Sequence, residues 1–415
     1  MNPKRVTVIG GGPAGMMAAI AAAQAGACVT LCERQAQLGR KLAATGGGRC
    51  NLTNTLDVET FMSRFGTEGR FMTGALRRFG RDDLLRQMTE WGVPCAAADG
   101  FHYFPVSQRA MDVLQALERQ LKKLNVQVRL STVVSALDLV AGRVCGVVAA
   151  GARLPADAVI LAAGGAAWPS LGGCGLGYDL AIQAGHEVVE PSPALVGLVT
   201  RETWPRLCAG VTLPDVMARI DLPECRKEVW RGVLLFTHAG LSGPLMLDIS
   251  GPVTRLLRRQ EQVPLRLSLF PDLSRETWNT RLAEWRTGRG KKSVRNLLDE
   301  SLPQSLATAV CEACGIDSAV RASGMTAEAR DRLLEWMTAL PVTITGSGGM
   351  AQAMVTHGGV SLRDIHPATL ESRRVSGLYV AGEVMDLDGP CGGYNLQWAF
   401  SSGWQAGALA QRGEG

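Results

Sequence analysis

The chain opens with a short β-branched run, Arg5 to Ile9, that stops at Gly10-Gly11-Gly12-Pro13-Ala14-Gly15 and passes into small residues and methionines, Met16 to Gln24. A short β-branched run closed by glycines predicts a buried strand, and the Ala-rich stretch behind it predicts a helix. After Gly26 a second strand is predicted from Cys28 to Cys32, ending at Glu33. Similar short runs predict strands at Val126 to Val134, Ala158 to Gly165 and Gly377 to Ala381, with a last helix from near Gly393 through Ala399 and Ser402 to Gly407. Strand-like pieces separated by turns fill Leu195 to Phe270, and helical patterns fill Arg275 to Leu340. Strand–helix alternation at both ends of the chain predicts an α/β protein with a mainly parallel sheet.

At 415 residues the chain exceeds what one hydrophobic core serves, so two or three domains are expected. A hydrophobic share of 46% and a charged share of 20% fit a globular enzyme and exclude a disordered chain. The 49 glycines gather in short clusters, as where backbone must approach a ligand. No apolar run reaches the roughly 18 residues of a membrane helix. The first residues lack the apolar core of a secretory signal, so the protein is expected to be cytoplasmic and without a membrane partner. Eleven cysteines, an odd number without framework spacing, predict reduced thiols. The CxxC at Cys311 and Cys314 lies in the helix-like run Ser305 to Gly315 and reads first as two small apolar helix residues, with a redox pair as the alternative. No metal site is expected, and the oligomeric state is left open.

The formal charge of +5 demands no polyanionic partner, but it is unevenly spread. Between Arg255 and Arg295 stand 11 Lys and Arg against 4 Asp and Glu, a local balance of +7. That is either a solvated helical surface or a contact for an anion or RNA. Within it Trp278, Leu282 and Trp285 fall at helical spacing, a core stripe that could alternatively stack on bases.

Gly10, Gly12 and Gly15 stand in GxGxxG order between a strand and a helix, with Pro13 and Ala14 opening the helix. Such a loop turns tightly, lets backbone amides reach a pyrophosphate and lets helix pack on strand, while the helix N-terminus faces the phosphates. Glu33, 21 residues beyond Gly12 and followed by Arg34, is placed for the ribose hydroxyls of an adenosine. An acid there disfavours a 2′-phosphate and selects FAD or NAD. The next segment selects FAD: Arg40 and Lys41, then Gly46-Gly47-Gly48-Arg49-Cys50-Asn51, a second glycine run among cations that a plain dehydrogenase domain does not need. At the other end Gly382-Glu383 with Asp386 can bind ribityl hydroxyls. Gly392-Gly393-Tyr394-Asn395-Leu396 starts a helix able to face the electron-rich edge of a reduced flavin. Ala163 and Gly164 end a strand where chain crosses the cofactor, and Val134 can pack on adenine.

At these residues the sequence resembles the BaiN/RdsA-type (YhiN-like) flavoproteins. The matching runs are Gly10 to Gly15, Thr45 to Asn54, Phe236 to Pro244 and Gly382 to Leu396. The resemblance implies a discontinuous Rossmann-like FAD-binding domain, residues 1–190 and 341–415. An inserted β-barrel at 191–272 and a small helical domain at 273–340 would divide it. It implies two substrate classes, uracil in ribosomal RNA and steroid-like enones, both reduced at a double bond conjugated with a carbonyl. Oxygen-dependent oxidation of aminoketones is a third option, and a FAD-bound interaction module without turnover is the non-catalytic one. Departures from the family pattern are Phe101-His102-Tyr103 before Phe104-Pro105, His357, and Pro390-Cys391 ahead of Gly392. They touch substrate-facing positions and leave FAD binding in place.

Only one complete dinucleotide fingerprint is present. Gly172 to Gly177 is glycine-rich but does not follow a strand at the required spacing, so NAD(P)H is expected as a transient reductant. The protein must then supply orientation and a proton. Cys50, His238 and Tyr394 are the candidate donors, with Cys391 and His102 behind them, whereas His366 before Pro367 is given no role. Each has a plainer reading. Cys50 can be a buried small residue, and Tyr394 and Asn395 can serve only to shape their loop.

Overall fold

A computed structural model describes residues 3–225 and 227–410; the outermost ends of the segments 1–190 and 341–415 lie outside it. The chain divides into two compact units, residues 1–192 with 354–415, and residues 193–353.

The first unit is built on five strands in the order Leu378–Val380, Ala158–Leu161, Arg5–Ile9, Cys28–Cys32 and Gln127–Arg129, every neighbouring pair parallel. Val8, Leu31, Val159, Ile160 and Leu161 are fully buried. Covering on both faces is what lets such strands be apolar throughout instead of alternating. Helix Pro13–Gln24 starts with Pro at its first turn, where no amide partner is lost, and packs against the last helix, Tyr394–Ala410. A Cβ on Gly403 or Gly407 would lie 2.2 and 2.1 Å from the carbonyl oxygens of Ala14 and Ala18, so the two ends of the chain meet backbone to backbone. A three-stranded antiparallel sheet, Val134–Val140, Arg143–Ala149 and Ala152–Pro155, completes the core beside the parallel one.

The second unit is a closed six-stranded barrel in the order Leu198–Thr200, Gly240–Ser242, Trp230–Phe236, Thr212–Ile220, Val263–Ser268 and Leu340–Ser347. Helices Arg275–Gly288, Val294–Leu298, Gln304–Ala313 and Ala327–Ala339 share one core with it, in which Trp278, Leu282, Leu306 and Met337 join Leu265, Leu267 and Leu340.

Four sequence expectations change. The strand expected over Val126 to Val134 is two strands, because Ser131 turns the chain with φ +49° and Val134 begins the antiparallel sheet. The boundary expected at 340/341 falls at 353/354, because Leu340–Ser347 pairs with Val263–Ser268 and Leu198–Thr200 and closes the barrel. The stretch expected to be strand-like contains helix Pro244–Leu257, whose buried Leu245, Met246, Ile249 and Val253 follow a helical period. The helical segment is not a body of its own but part of the barrel's core. The Trp278 and Trp285 rings are buried, which excludes them as platforms for bases, and Trp278 packs on Phe270 at 5.1 Å. Among the described residues no helix is long and apolar enough to cross a membrane, and no cluster of three or more His, Cys, Asp or Glu could hold a metal ion.

Candidate functional site

The first unit holds a cleft enclosing about 1420 Å³, open mouth included. Its lining runs from the first glycine loop through Glu33 and Val134 to Asn395 and Ala399, a span that suits a long ligand. The first glycine loop forms one wall, and its three fingerprint glycines do different things. Gly10 takes φ +106°, and a Cβ there would lie 2.4 Å from the Ala162 oxygen of the neighbouring strand. A Cβ on Gly15 would fall 1.8 Å from the Gly10 oxygen, so the third glycine lets the helix fold back on its own loop. Gly12 has nothing within 4 Å of the same position; its side is open to the cleft, where the uncapped start of helix Pro13–Gln24 offers its amides.

Glu33 lines the cleft with its carboxylate fixed by backbone: Oε2 accepts from the Gly11 amide at 2.6 Å and Oε1 from the Gln35 amide at 2.7 Å. A carboxylate has about four acceptor positions, so two remain for a ligand's hydroxyls. Arg34 donates to the Gly172 carbonyl and Arg40 to Gln35 Oε1, both at 3.0 Å. Lys41, expected among the cations free for a pyrophosphate, instead forms an ion pair with Glu383, whose Oε1 also accepts from the Thr356 amide at 2.9 Å. Val134, Ala163, Gly164, Asn395 and Leu396 complete the expected residues on the lining.

The others stand behind it. Thr45 lines the cleft, but the next three residues, Gly46, Gly47 and Gly48, turn away with φ of +58°, +67° and +84° and interrupt the helix Arg40–Gly48. Arg49 lies over the Phe104 ring at 4.8 Å. The run then interlocks with the far end of the chain. The Asn51 amide donates to the Thr53 carbonyl and accepts from the Gly393 amide, Asn54 Nδ2 donates to the Gly392 carbonyl at 2.9 Å, and a Cβ on Gly393 would meet Thr53 backbone at 2.7 Å. Asn395 clasps Gly389 by accepting from its amide and donating to its carbonyl, both at 2.8 Å. Gly382 takes φ +78° against Ala14, and the Asp386 carboxyl is raised by burial.

The three candidate proton donors are not gathered on the lining. Cys50 is fully buried, and burial pushes its thiol up to about 12, so it is a packed neutral group. Tyr394 is buried against the rings of Phe61 and Phe65, at 4.9 and 6.0 Å. His238 is exposed at the hairpin turn between Trp230–Phe236 and Gly240–Ser242, in the second unit. Of the secondary candidates, His102 Nδ1 is held by Asp99 at 2.6 Å and Cys391 is half-buried. His366 lies in a loop and donates its amide to the Glu371 carbonyl.

Sequence reasoning missed the wall opposite the first loop. Gly172, Gly173 and Gly177 line the same cleft, and a Cβ on Gly173 would sit 1.9 Å from the Ala167 oxygen. Their density in the sequence was the available signal. Trp398 was missed as well: it lines the cleft, is 1% exposed, and its Nε1–H has no hydrogen-bond partner among the described residues. An orphaned buried donor and an open glycine face are what a cofactor rich in acceptors completes. The residues present therefore fit a FAD.

A five-stranded parallel sheet whose first loop and helix face a dinucleotide-sized cleft defines a Rossmann-type oxidoreductase with a flavin cofactor. The chain belongs to the family described as the HI0933-like protein Rossmann domain, which matches residues 4–409. It is 34% identical over 414 residues to the 3-dehydro-bile acid delta(4,6)-reductase of Clostridium scindens, covering 98% of each chain. It is 32% identical to the ribosomal RNA dihydrouridine synthase of Escherichia coli, over 96% of this chain and 95% of the other. Among solved structures, a flavocytochrome c3 fumarate reductase in its open conformation matches with TM-score 0.53 at 18% identity, over 99% of this chain and 78% of that one, and shows the shared fold.

Proposed function

We propose that the protein, in the cytoplasm, holds one FAD non-covalently in this cleft and reduces a carbon–carbon double bond conjugated with a carbonyl, with NAD(P)H as the transient source of hydride. The observation that carries the reading is the cleft itself: the open face of Gly12 and the oriented Glu33 carboxylate border one space, whose lining also includes Trp398 with its partnerless buried donor. Gly10 to Gly15 and Arg34 would hold the pyrophosphate end and Glu33 the ribose. Val134 would pack on adenine, and Lys41 with Glu383 would hold the ribityl chain. Ala163, Gly164, Asn395 and Leu396 would flank the ring. When bound, FAD supplies the hydride-accepting and hydride-donating ring that no amino-acid side chain provides.

A steroid-like enone and uracil in ribosomal RNA share this chemistry, and the names of the two relatives cover one each. Ion pairing favours the enone. Four cations of the 255–295 stretch are spent on acids outside it: Arg266 on Asp221 and Glu335, Arg289 and Lys292 on Glu300, and Arg295 on Asp299. The +7 balance of that stretch therefore overstates the field it presents. RNA is the second reading, kept by the remaining cations.

The test is the visible spectrum of the purified protein, followed by anaerobic addition of NADH or NADPH. A flavin spectrum that bleaches, then recovers on adding a 4-en-3-one steroid, is the expected result. Recovery only with undermodified ribosomal RNA selects the second reading. A protein that takes up no FAD on incubation overturns both.

A further inference from the structure

Two of the five histidines stand in histidine–aspartate pairs, His102 with Asp99 and His357 with Asp388, each with Nδ1 at 2.6 Å from a carboxylate oxygen. Their settings differ. Asp99 keeps 53% of its side chain exposed, whereas His357 and Asp388 keep 25% and 18%, sheltered but reachable. His357 follows Val355 by two positions in the strand Val355–Val360, so the two side chains share a face, and Val355 lines the cleft. Thr356 between them points the other way, its Oγ1 accepting from the Ala166 and Ala167 amides. Asp388 follows the cleft residue Leu387 and precedes Gly389, which the cleft residue Asn395 clasps. Cleft residues thus precede the pair on both chain segments that supply it, and His357 and Asp388 stand just behind the lining.

We propose that His357, oriented by Asp388, is the general acid that protonates the substrate; the proposal rests on the hydride-transfer reading above. A conjugated double bond that receives a hydride at its β-carbon carries its π pair onto the α-carbon. There the Nε2–H bond of the imidazolium breaks as the new C–H bond forms, and the neutral imidazole regains its proton from water. Asp388 on Nδ1 sets the ring's orientation and offsets the charge of the imidazolium. Three further acids belong to the elements packed near the pair. Asp386 lies on the same loop, with its carboxyl raised by burial; Glu68 comes from the turn Gly66–Met72, and Glu190 from the neighbouring strand Val188–Ala194. The buried Cys50 and Tyr394 have no comparable route to a ligand.

The decisive measurement separates the two half-reactions of the FAD-loaded protein. Reoxidation of the reduced protein by cyclohex-2-en-1-one is expected to slow at least ~100-fold in His357→Gln and by less in Asp388→Asn, which keeps the ring but removes the carboxylate charge. Binding of 4-nitrophenolate, an anion that resembles the enolate, is expected to weaken about tenfold in His357→Gln when read from its difference spectrum. Reoxidation and phenolate binding within a few-fold of the native chain in His357→Gln, with the flavin still bound, overturn the assignment while leaving FAD chemistry in place. A chain that takes up no FAD removes the hydride-transfer reading and this proposal with it.

Discussion

Lys41 Nζ lies 2.8 and 2.7 Å from the two carboxylate oxygens of Glu383, 342 positions further along the chain. Both side chains line the cleft and are about a quarter exposed, so their charges are screened less than those of a surface pair. Removing one partner leaves the other uncompensated beside an anionic ligand. Lys41→Met is expected to raise the FAD dissociation constant about tenfold, ~1.4 kcal/mol. The double variant Lys41→Met, Glu383→Gln should lose less than the sum of the single changes. Titration of the apoprotein by flavin fluorescence reads both. Additive losses would mean that the two residues act on the cofactor independently.

The first and third glycine positions of the loop can be separated from the second by experiment. Gly15→Ala puts a methyl 1.8 Å from the Gly10 oxygen, and backbone must move; a loss of about 2–4 kcal/mol of stability is expected. Gly12→Ala meets nothing within 4 Å and has an ordinary φ of −78°. It should leave the melting temperature of the apoprotein within a degree or two and strip the flavin absorbance. An apoprotein destabilised by Gly12→Ala would show that the open face is not a ligand's.

These two relationships mark what the sequence could and could not reveal. Strand, glycine loop and helix at residues 5–24 were legible because each signal is local: β-branched residues, φ-permissive glycines, then small helix formers. So was the acid at Glu33, which ends the next strand. The Lys41–Glu383 pair and the Asn51–Gly393 interlock join positions more than 300 apart, and no local pattern encodes which partner a side chain meets. The role of Gly172 to Gly177 was obscured for a related reason: the run closes a cleft whose other wall is built elsewhere. Leu340–Ser347 was misassigned because a short apolar run next to a helix fits either unit until strand pairing decides.

Asn54 tests that interlock. It is fully buried, donates to the Gly392 carbonyl at 2.9 Å and accepts from the Leu56 amide at 3.2 Å. Asn54→Ala strands both backbone groups, and each buried unsatisfied group costs about 1–3 kcal/mol. A loss of about 2 kcal/mol or more is expected in the urea unfolding of the first unit, with looser flavin retention. Asn54→Asp keeps the acceptor for Leu56 but sets a buried carboxylate oxygen against the Gly392 carbonyl, so it should lose at least as much. A clearly smaller loss in Asn54→Asp would mean that the Gly392 contact contributes little.

Cys50 gives the chain a defined sensitivity to alkali. Its thiol is pushed from 9.0 up to about 12 by burial. Below about pH 9 the folded and unfolded states both hold the proton, and pH has no leverage through this group. Above it the unfolded thiol ionises while the folded one does not, so the unfolded state binds fewer protons and stability falls as pH rises toward 12, by about 1.4 kcal/mol per unit. Half-buried Cys95, also raised to about 12, acts in the same direction in the same unit. The urea midpoint of the native chain is therefore expected to drop between pH 8.5 and 10.5, and Cys50→Ala should flatten that slope by about 1.4 kcal/mol at pH 10. The same substitution separates packing from catalysis. A thiol held neutral and fully buried neither attacks nor shuttles protons at pH 7, so Cys50→Ala should reduce the enone within a few-fold of the native rate. A loss of 100-fold or more with the flavin still bound would make Cys50 a proton donor after all.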